Sequence, residues 1–189
     1  MNIKLILIIA FSLLYAFFEI FMSRRQQDKK EISQSGDKGS IWLLVISISI
    51  GYWLSCIVAS TKMGRIYHWD AFFALGSFLI LIGLIIRVNS ILTLKKQFTY
   101  TVTKMENHEL IETGLYKNIR HPGYLGQLII FLGISVCLSN WLSILLMIIP
   151  VLLGYLYRIN IEEKFMAEHL GQKYLDYKKR TKKLIPRIY

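Results

Sequence analysis

The sequence predicts an all-α, polytopic integral membrane protein of about five transmembrane helices, the last two forming a C-terminal helical hairpin. Three observations carry this prediction. Of 189 residues, 54% are hydrophobic and only 19% charged, with a mean hydropathy of +0.44, too apolar for an ordinary water-soluble domain. The apolar residues gather in runs of 15 to 22, close to the ~20 needed for a helix to cross ~30 Å of hydrocarbon. Charged residues fall mostly between the runs, with Glu19 and Arg87 the exceptions inside them. A water-soluble enzyme is thereby largely excluded.

The first run, Leu5 to Met22, holds one acid, Glu19, and is followed by Arg24 and Arg25 instead of a small-residue cleavage site. It reads as a retained span, not a signal peptide. Residues 23 to 40 are polar and are expected to form a mobile loop. The second span covers Ile41 to Ser60 with Trp42 and Trp53, and the third covers Ala71 to Leu92. Arg87, near the end of the third, is read as a snorkelling side chain. After a polar stretch from 93 to 121 come Tyr124 to Leu138 and Trp141 to Tyr157, separated only by Ser139 and Asn140, which predicts a tight hairpin. Pro150 should kink the second arm unless neighbours satisfy the freed carbonyl. Beyond it, Phe165, Leu170, Tyr174 and Tyr177 recur at roughly helical spacing beside many lysines, as in an interfacial amphipathic helix.

The formal charge is +11. Nineteen of the 23 Lys and Arg lie in 23 to 40, 93 to 121 and the stretch from 158 onward, and three lie in the alternate segments. The positive-inside rule then assigns those three segments to the cytoplasm and the N-terminus to the outside. Placed so, the basic residues face anionic lipid, and no nucleic-acid partner is expected. No obligatory protein partner is inferred. Cys56 and Cys137 each stand alone in apolar runs, so no disulfide and no metal are expected.

Orientation brings two polar segments to one membrane face: 108 to 124, HELIETGLYKNIRHPGY, and 158 to 165, RINIEEKF. Pro122 suits the first turn of a helix, so the hairpin's first arm is expected to begin at His121-Pro122. Its free N–H groups, from Gly123, Tyr124 and Leu125, would attract an anion, with Arg120 and His121 beside them. Arg158 and Glu162, four apart, share a helix face and either pair or jointly grip a zwitterion. The alternative is that Arg158 anchors the helix and Glu162 and Glu163 are solvated. Tyr116 and Tyr124 could equally be interfacial aromatics.

The ordered combination His108-x-Leu110-Ile111-x-x-Gly114-x-Tyr116, Arg120-His121-Pro122-x-Tyr124, then Arg158 with Glu162-Glu163, then Gly171-x-x-Tyr174-x-x-Tyr177, closely resembles the isoprenylcysteine carboxyl methyltransferase family. The match covers about the last 90 residues. The resemblance implies a single membrane methyltransferase domain, 1–189, in which 1–92 supply three spans and 93–189 the catalytic part with cytoplasmic cofactor-binding segments. It implies S-adenosylmethionine as cofactor and a lipophilic small molecule or lipidated substrate entering from the surrounding membrane lipids. By the same resemblance His108, Glu109, Leu110 and Ile111 would line the adenosine end. Tyr116, His121, Pro122, Gly123, Tyr124 and Glu162 would hold the rest, with Glu162 on the ammonium group, and Arg158 would orient the acceptor. Some relatives have a cofactor-contacting glutamine where the nearest counterpart here is Thr103.

Methyl transfer from a sulfonium to oxygen is an in-line displacement that needs aligned reactants and neither a metal nor a covalent enzyme intermediate. A carboxylate acceptor needs no general base, whereas a hydroxyl would, with Glu163 or His121 as candidates. Three other readings compete. An NADPH-dependent membrane lipid or sterol-type reductase shares a related hairpin, but no G-x-G-x-x-G supports it. A phospholipid N-methyltransferase belongs to the same wider superfamily. A membrane scaffold or transport subunit is the non-enzyme reading, and no internal symmetry supports a transporter.

Overall fold

The structure is a computed structural model that describes residues 3–27, 34–35, 39–98, 100, 103–104 and 110–186. Helices α1 (Ile3–Gln27), α2 (Ser40–Ala59), α3 (Trp69–Leu94), α4 (Pro122–Cys137), α5 (Trp141–Leu170) and α6 (Gln172–Arg180) make up nearly all of it. Two-residue strands β1 (Gln34–Ser35) and β2 (Thr103–Lys104) pair antiparallel. Four helices, α1, α2, α3 and α5, are long and apolar enough to cross a membrane, and α4 is a shorter apolar helix of 16 residues. The protein is a polytopic, all-helical membrane protein, with large apolar side chains such as Leu13, Trp53, Phe78 and Leu153 turned outward.

Because lipid supplies no hydrophobic force between apolar helices, their association depends on close packing and polar contacts. Here α3 and α4 run antiparallel with facing glycines seven residues apart on each. A Cβ at Gly83 would lie 2.7 Å from the Gly126 carbonyl oxygen, and one at Gly133 2.7 Å from that of Gly76. Helices α2 and α5 are clasped by a reciprocal pair: the Ser55 hydroxyl donates to the Ser143 carbonyl at 2.6 Å, and the Ser143 hydroxyl returns to the Ser55 carbonyl at 2.9 Å. Tyr15 of α1, Phe131 and Ile134 of α4, and Met147, Val151 and Tyr155 of α5 form the buried core between these pairs.

The hairpin turn is tight, as its two-residue spacing predicts. Ser139 takes a left-handed conformation, φ 52°, which ends α4. Asn140 caps α5, its side chain accepting from Ser143 N at 3.0 Å while donating to the Met63 carbonyl at 2.7 Å. The link between α2 and α3 therefore docks on the hairpin tip at one end of the bundle. The charged cluster of Arg120, Arg158, Glu162 and Glu163 gathers at the opposite end.

Three expectations are corrected. The first helix continues through Gln27, so residues 23 to 27 belong to α1 and not to a loop. Helix α5 runs unbroken through Pro150 to Leu170. Gly51 packs against the Leu146 carbonyl, the one that Pro150 deprives of its helical donor, close enough that a Cβ would lie 3.2 Å from it. The segment from 158 to 170 is thus a helical extension of the hairpin arm. Tyr174 and Tyr177 of α6 are buried against the protein, not laid on a lipid surface. Finally, Arg87 does not snorkel: it is 3% exposed and donates from Nε and Nη2 to both carboxylate oxygens of Glu19, at 3.0 and 2.8 Å. A charge in an apolar run costs least when a partner on a neighbouring helix neutralises it, and α1 supplies that partner.

Candidate functional site

The polar end of the bundle is assembled by α4, by the extension of α5 and by the C-terminal segment. His121 caps α4 and Pro122 opens it, as the missing proline N–H allows. The His121 carbonyl, turned into that first turn, accepts from the backbone N–H of both Tyr124 and Leu125, each at 3.1 Å. Two of the three amides expected to be free for an anion are therefore already bound, and that expectation is corrected for Tyr124 and Leu125.

One tyrosine hydroxyl joins the two helices. Tyr124 Oη donates to Glu162 Oε2 at 2.7 Å and accepts from Arg158 Nε at 3.1 Å. The pair predicted to share a face of α5 does so, bridged by α4. Arg158, 3% exposed, also donates to Ser40 Oγ at 2.9 Å and to the Tyr100 carbonyl. The His121 ring stacks on that of Tyr124 with centroids 5.5 Å apart and planes 9° from parallel.

The consecutive acids part company. The Glu162 side chain is 31% exposed and faces a cavity of about 180 Å³, whereas that of Glu163 is 4% exposed and points into a clasp. Glu163 Oε1 accepts from Arg120 Nε at 2.7 Å, and Oε2 lies 3.1 Å from Lys178 Nζ. Arg120 continues to the Thr181 carbonyl and hydroxyl. The backbone N–H groups of Arg120 and His121 donate to the Lys182 and Lys183 carbonyls at 2.8 and 3.0 Å. Tyr177 Oη donates to the Tyr116 carbonyl at 2.7 Å. The C-terminal segment thus fastens residues 116 to 121 and, through them, the start of α4. Glu163 spends its oxygens on this clasp, which removes it as a candidate base. His121 Nε2, buried and 3.4 Å from Glu163 Oε1, makes no hydrogen bond among the described residues.

The cavity brings together Leu110, Ile111, Tyr116, His121, Gly123, Tyr124, Arg158 and Glu162 of the predicted set, with Pro122 buried beneath them. Burial, with Glu162 nearby, raises the Tyr116 phenol well above its ordinary range. His108 and Glu109 lie outside the described residues, and of Thr103 only its place in β2 is described. Sequence reasoning missed Phe98, Tyr100, Gln127 and Met166 on the cavity wall. Gln127 had a signal: it is the one amide in the apolar run of α4, a turn beyond Gly123 on the same face. Phe98 and Tyr100 had none.

The phospholipid methyltransferase family model matches residues 71–173, from the start of α3 to the start of α6. Protein-S-isoprenylcysteine O-methyltransferase B of Arabidopsis thaliana is 32% identical over 147 residues, covering 77% of this chain and 73% of that protein. The chain belongs to the isoprenylcysteine carboxyl methyltransferase family of membrane enzymes. A second member, from Saccharomyces cerevisiae, is 30% identical over 191 residues, covering 96% of this chain and 78% of that protein. The solved structure of a eukaryotic intramembrane Ras methyltransferase of the same isoprenylcysteine carboxyl methyltransferase family aligns with a TM-score of 0.56 at 26% identity. The alignment covers 77% of this chain, which spans about half the length of that one. Family membership agrees with the ordered residues of the last 90 positions that carried the resemblance.

Proposed function

We propose that the chain is an S-adenosylmethionine-dependent O-methyltransferase acting on a carboxyl, or a hydroxyl, of a lipophilic, prenylcysteine-like molecule at the membrane. The observation that carries this reading is the bridge at the cavity wall: Tyr124 ties a carboxylate, Glu162, to a guanidinium, Arg158. The residues present suit the cofactor. Glu162 offers a partly exposed carboxylate for an ammonium group, and Leu110, Ile111, Phe165 and Met166 offer an apolar wall for an adenine ring. When bound, S-adenosylmethionine supplies a sulfonium-activated methyl group for in-line transfer to oxygen.

The chain's own part is binding, alignment and exclusion of water. Arg158, held by Tyr124, Ser40 and Tyr100, is oriented before any acceptor arrives, so little ordering remains when a carboxylate docks on it. A guanidinium there attracts an acid and repels an amine, which favours a carboxylate acceptor over a phospholipid amine. An ionised carboxylate needs no base, in keeping with the commitment of Glu163 elsewhere. His121 and Tyr116, with Gly123 and Tyr124, form the floor on which the cofactor would rest. The residues outside the described set, His108 and Glu109, belong to the adenosine end in this reading. The distribution of Lys and Arg supports a cytoplasmic site and C-terminus with the N-terminus outside, and in this reading 1–189 act as one domain.

Calorimetric titration of the purified, detergent-solubilised protein with S-adenosylmethionine, S-adenosylhomocysteine and NADPH, repeated on Glu162→Ala, tests the cofactor. Saturable binding of the two adenosyl ligands, weakened by the substitution, is the expected result. Binding of NADPH alone would make the protein a reductase. Methyl transfer to N-acetyl-S-farnesylcysteine but not to phosphatidylethanolamine then tests the acceptor class.

A further inference from the structure

Tyr100 stands between two charged systems that the sequence keeps far apart. Its hydroxyl donates to Glu19 Oε2 at 2.8 Å. Glu19, on α1, also accepts from Tyr15 Oη at 2.8 Å and receives both arms of Arg87. The Arg87 guanidinium lies 5.7 Å from the centroid of the Tyr100 ring and 5.2 Å from that of Phe98, whose ring meets Tyr100 edge-on at 5.1 Å. At its other end Tyr100 turns its backbone carbonyl to the cavity, where it accepts from Arg158 Nη2. Arg87, Phe98, Tyr100 and Arg158 all line that cavity.

We propose that Tyr100, anchored through its hydroxyl on the Glu19–Arg87 pair, is a positioning residue that sets the orientation of Arg158. The proposal rests on the reading of Arg158 as the group that aligns the acceptor. The physical argument is one of restraint. Tyr100 lies outside the regular helices, so no helical ladder fixes its carbonyl. What fixes it is the side chain, held at the hydroxyl by a carboxylate that two helices immobilise and at the ring by a cation and an aromatic edge. Arg158 has several donors and a long stem, and the carbonyl determines where one of them points. The first helix, which lies outside the residues that the family model matches, thereby acts on the site.

The test uses the full chain in detergent with N-acetyl-S-farnesylcysteine as acceptor. Tyr100→Phe removes the hydroxyl and keeps the ring and the carbonyl. Asp70→Asn serves as control, because it breaks the Lys4–Asp70 ion pair that holds α1 at the opposite end of the bundle. The expected result is an acceptor KM raised roughly three- to tenfold, as for coupling within one hydrogen-bonded network, with S-adenosylmethionine affinity unchanged and no such rise in the control. An unchanged KM, or a rise that Asp70→Asn reproduces, overturns the proposal. If Tyr100→Phe does not fold, the double variant Glu19→Leu with Arg87→Met, which removes the anchor without stranding a charge, is read by the same criteria. The Nε signal of Arg158 in a ¹⁵N-arginine-labelled sample, assigned by its loss in Arg158→Lys, requires no activity. Should the wild type methylate nothing, a shift of that signal in Tyr100→Phe sustains the positioning role while the acceptor reading falls, and an unmoved signal overturns the positioning role itself.

Discussion

Tyr124 donates its hydroxyl to Glu162 at 2.7 Å, joining the first turn of α4 to the extension of α5. The same oxygen accepts from Arg158, so its loss should loosen both charged groups at once. Hydrogen bonds to charged groups contribute about 1.5–3 kcal/mol, and Tyr124→Phe is expected to lower kcat/KM by roughly ten- to a hundredfold. Tyr155, 5.2 Å away between ring centroids, supplies the contrast. It is fully buried, and its hydroxyl has no hydrogen-bond partner among the described residues. Tyr155→Phe should therefore leave activity within about twofold and leave the thermal midpoint unchanged or raised, since removing an unsatisfied buried polar group is neutral or favourable.

The two consecutive glutamates should fail differently. Glu162→Gln removes a negative charge from the cavity wall, and the S-adenosylmethionine dissociation constant is expected to rise about tenfold, as for loss of one charge-assisted contact, with little change in thermal midpoint. Glu163→Gln leaves Arg120 and Lys178 without their counter-charge at a 4% exposed position. Breaking such a buried cluster costs about 3–5 kcal/mol, so the thermal midpoint should fall sharply whether or not ligand is present. Equal behaviour of the two variants in both measurements would contradict the division of labour.

What the sequence disclosed and what it hid follow from the range of the interactions. Apolar runs, the two-residue hairpin turn, the proline that opens α4 and the shared face of Arg158 and Glu162 are local, and each is present in the structure close to where its spacing implies. Arg87 was misread because its partner, Glu19, lies 68 residues away, and a lone arginine near the end of an apolar run has snorkelling as its cheapest local explanation. Tyr100 escaped notice for the same reason, its two contacts reaching residues 81 and 58 positions distant. The C-terminal tyrosines had the right periodicity for an amphipathic helix, but periodicity says only that one face is apolar. Whether protein or lipid covers that face depends on the segment 116 to 121, which only the fold brings against it.

The facing glycines make a graded prediction. At Gly83 a Cβ would meet the Gly126 carbonyl at 2.7 Å and the Ile130 backbone nitrogen at 2.9 Å, atoms that move only if α3 and α4 separate. Gly83→Ala should cost about 1–3 kcal/mol, the usual penalty of overpacking, and should impair activity as well, because α4 carries Tyr124 and His121. Gly171, between α5 and α6, has φ +55° and open space where a Cβ would go. Gly171→Ala meets no neighbour and bears only the cost of a backbone conformation, φ 55° with ψ −133°, that side chains with a Cβ avoid, about 1–3 kcal/mol. Thermal melts paired with activity of the surviving folded fraction separate the two cases.

The clasp between Tyr177 and the Tyr116 carbonyl should make the polar end sensitive to alkali. Burial raises the Tyr177 phenol above its ordinary value of 10.0. The folded state consequently holds that proton more tightly than the unfolded chain does. Its contribution to stability is complete below pH 10 and declines as pH rises beyond it, where the unfolded phenol ionises and the folded one does not. In Tyr177→Phe the thermal midpoint at neutral pH should drop by the equivalent of about 1 kcal/mol for the lost hydrogen bond. The difference between variant and wild type should then narrow from pH 10 to 12, and a difference that widens would assign the alkaline sensitivity to other groups.

The Glu19–Arg87 pair separates stability from function. Removing one partner strands the other charge at a buried position: Glu19→Ala is expected to cost about 3–5 kcal/mol, as for other broken buried pairs. Replacing both with apolar residues of similar volume, Glu19→Leu with Arg87→Met, leaves no charge to strand and takes the acceptor only from the Tyr15 and Tyr100 hydroxyls, so it should recover most of the thermal midpoint lost in Glu19→Ala. If the pair served only to hold α1 against α3, this double variant would also be active. If the carboxylate of Glu19 anchors Tyr100, and Tyr100 in turn aims Arg158, the double variant should fold well and still bind the acceptor poorly. Melting curves and acceptor KM measured on one preparation decide between the two, because only the second reading predicts that stability returns while recognition does not.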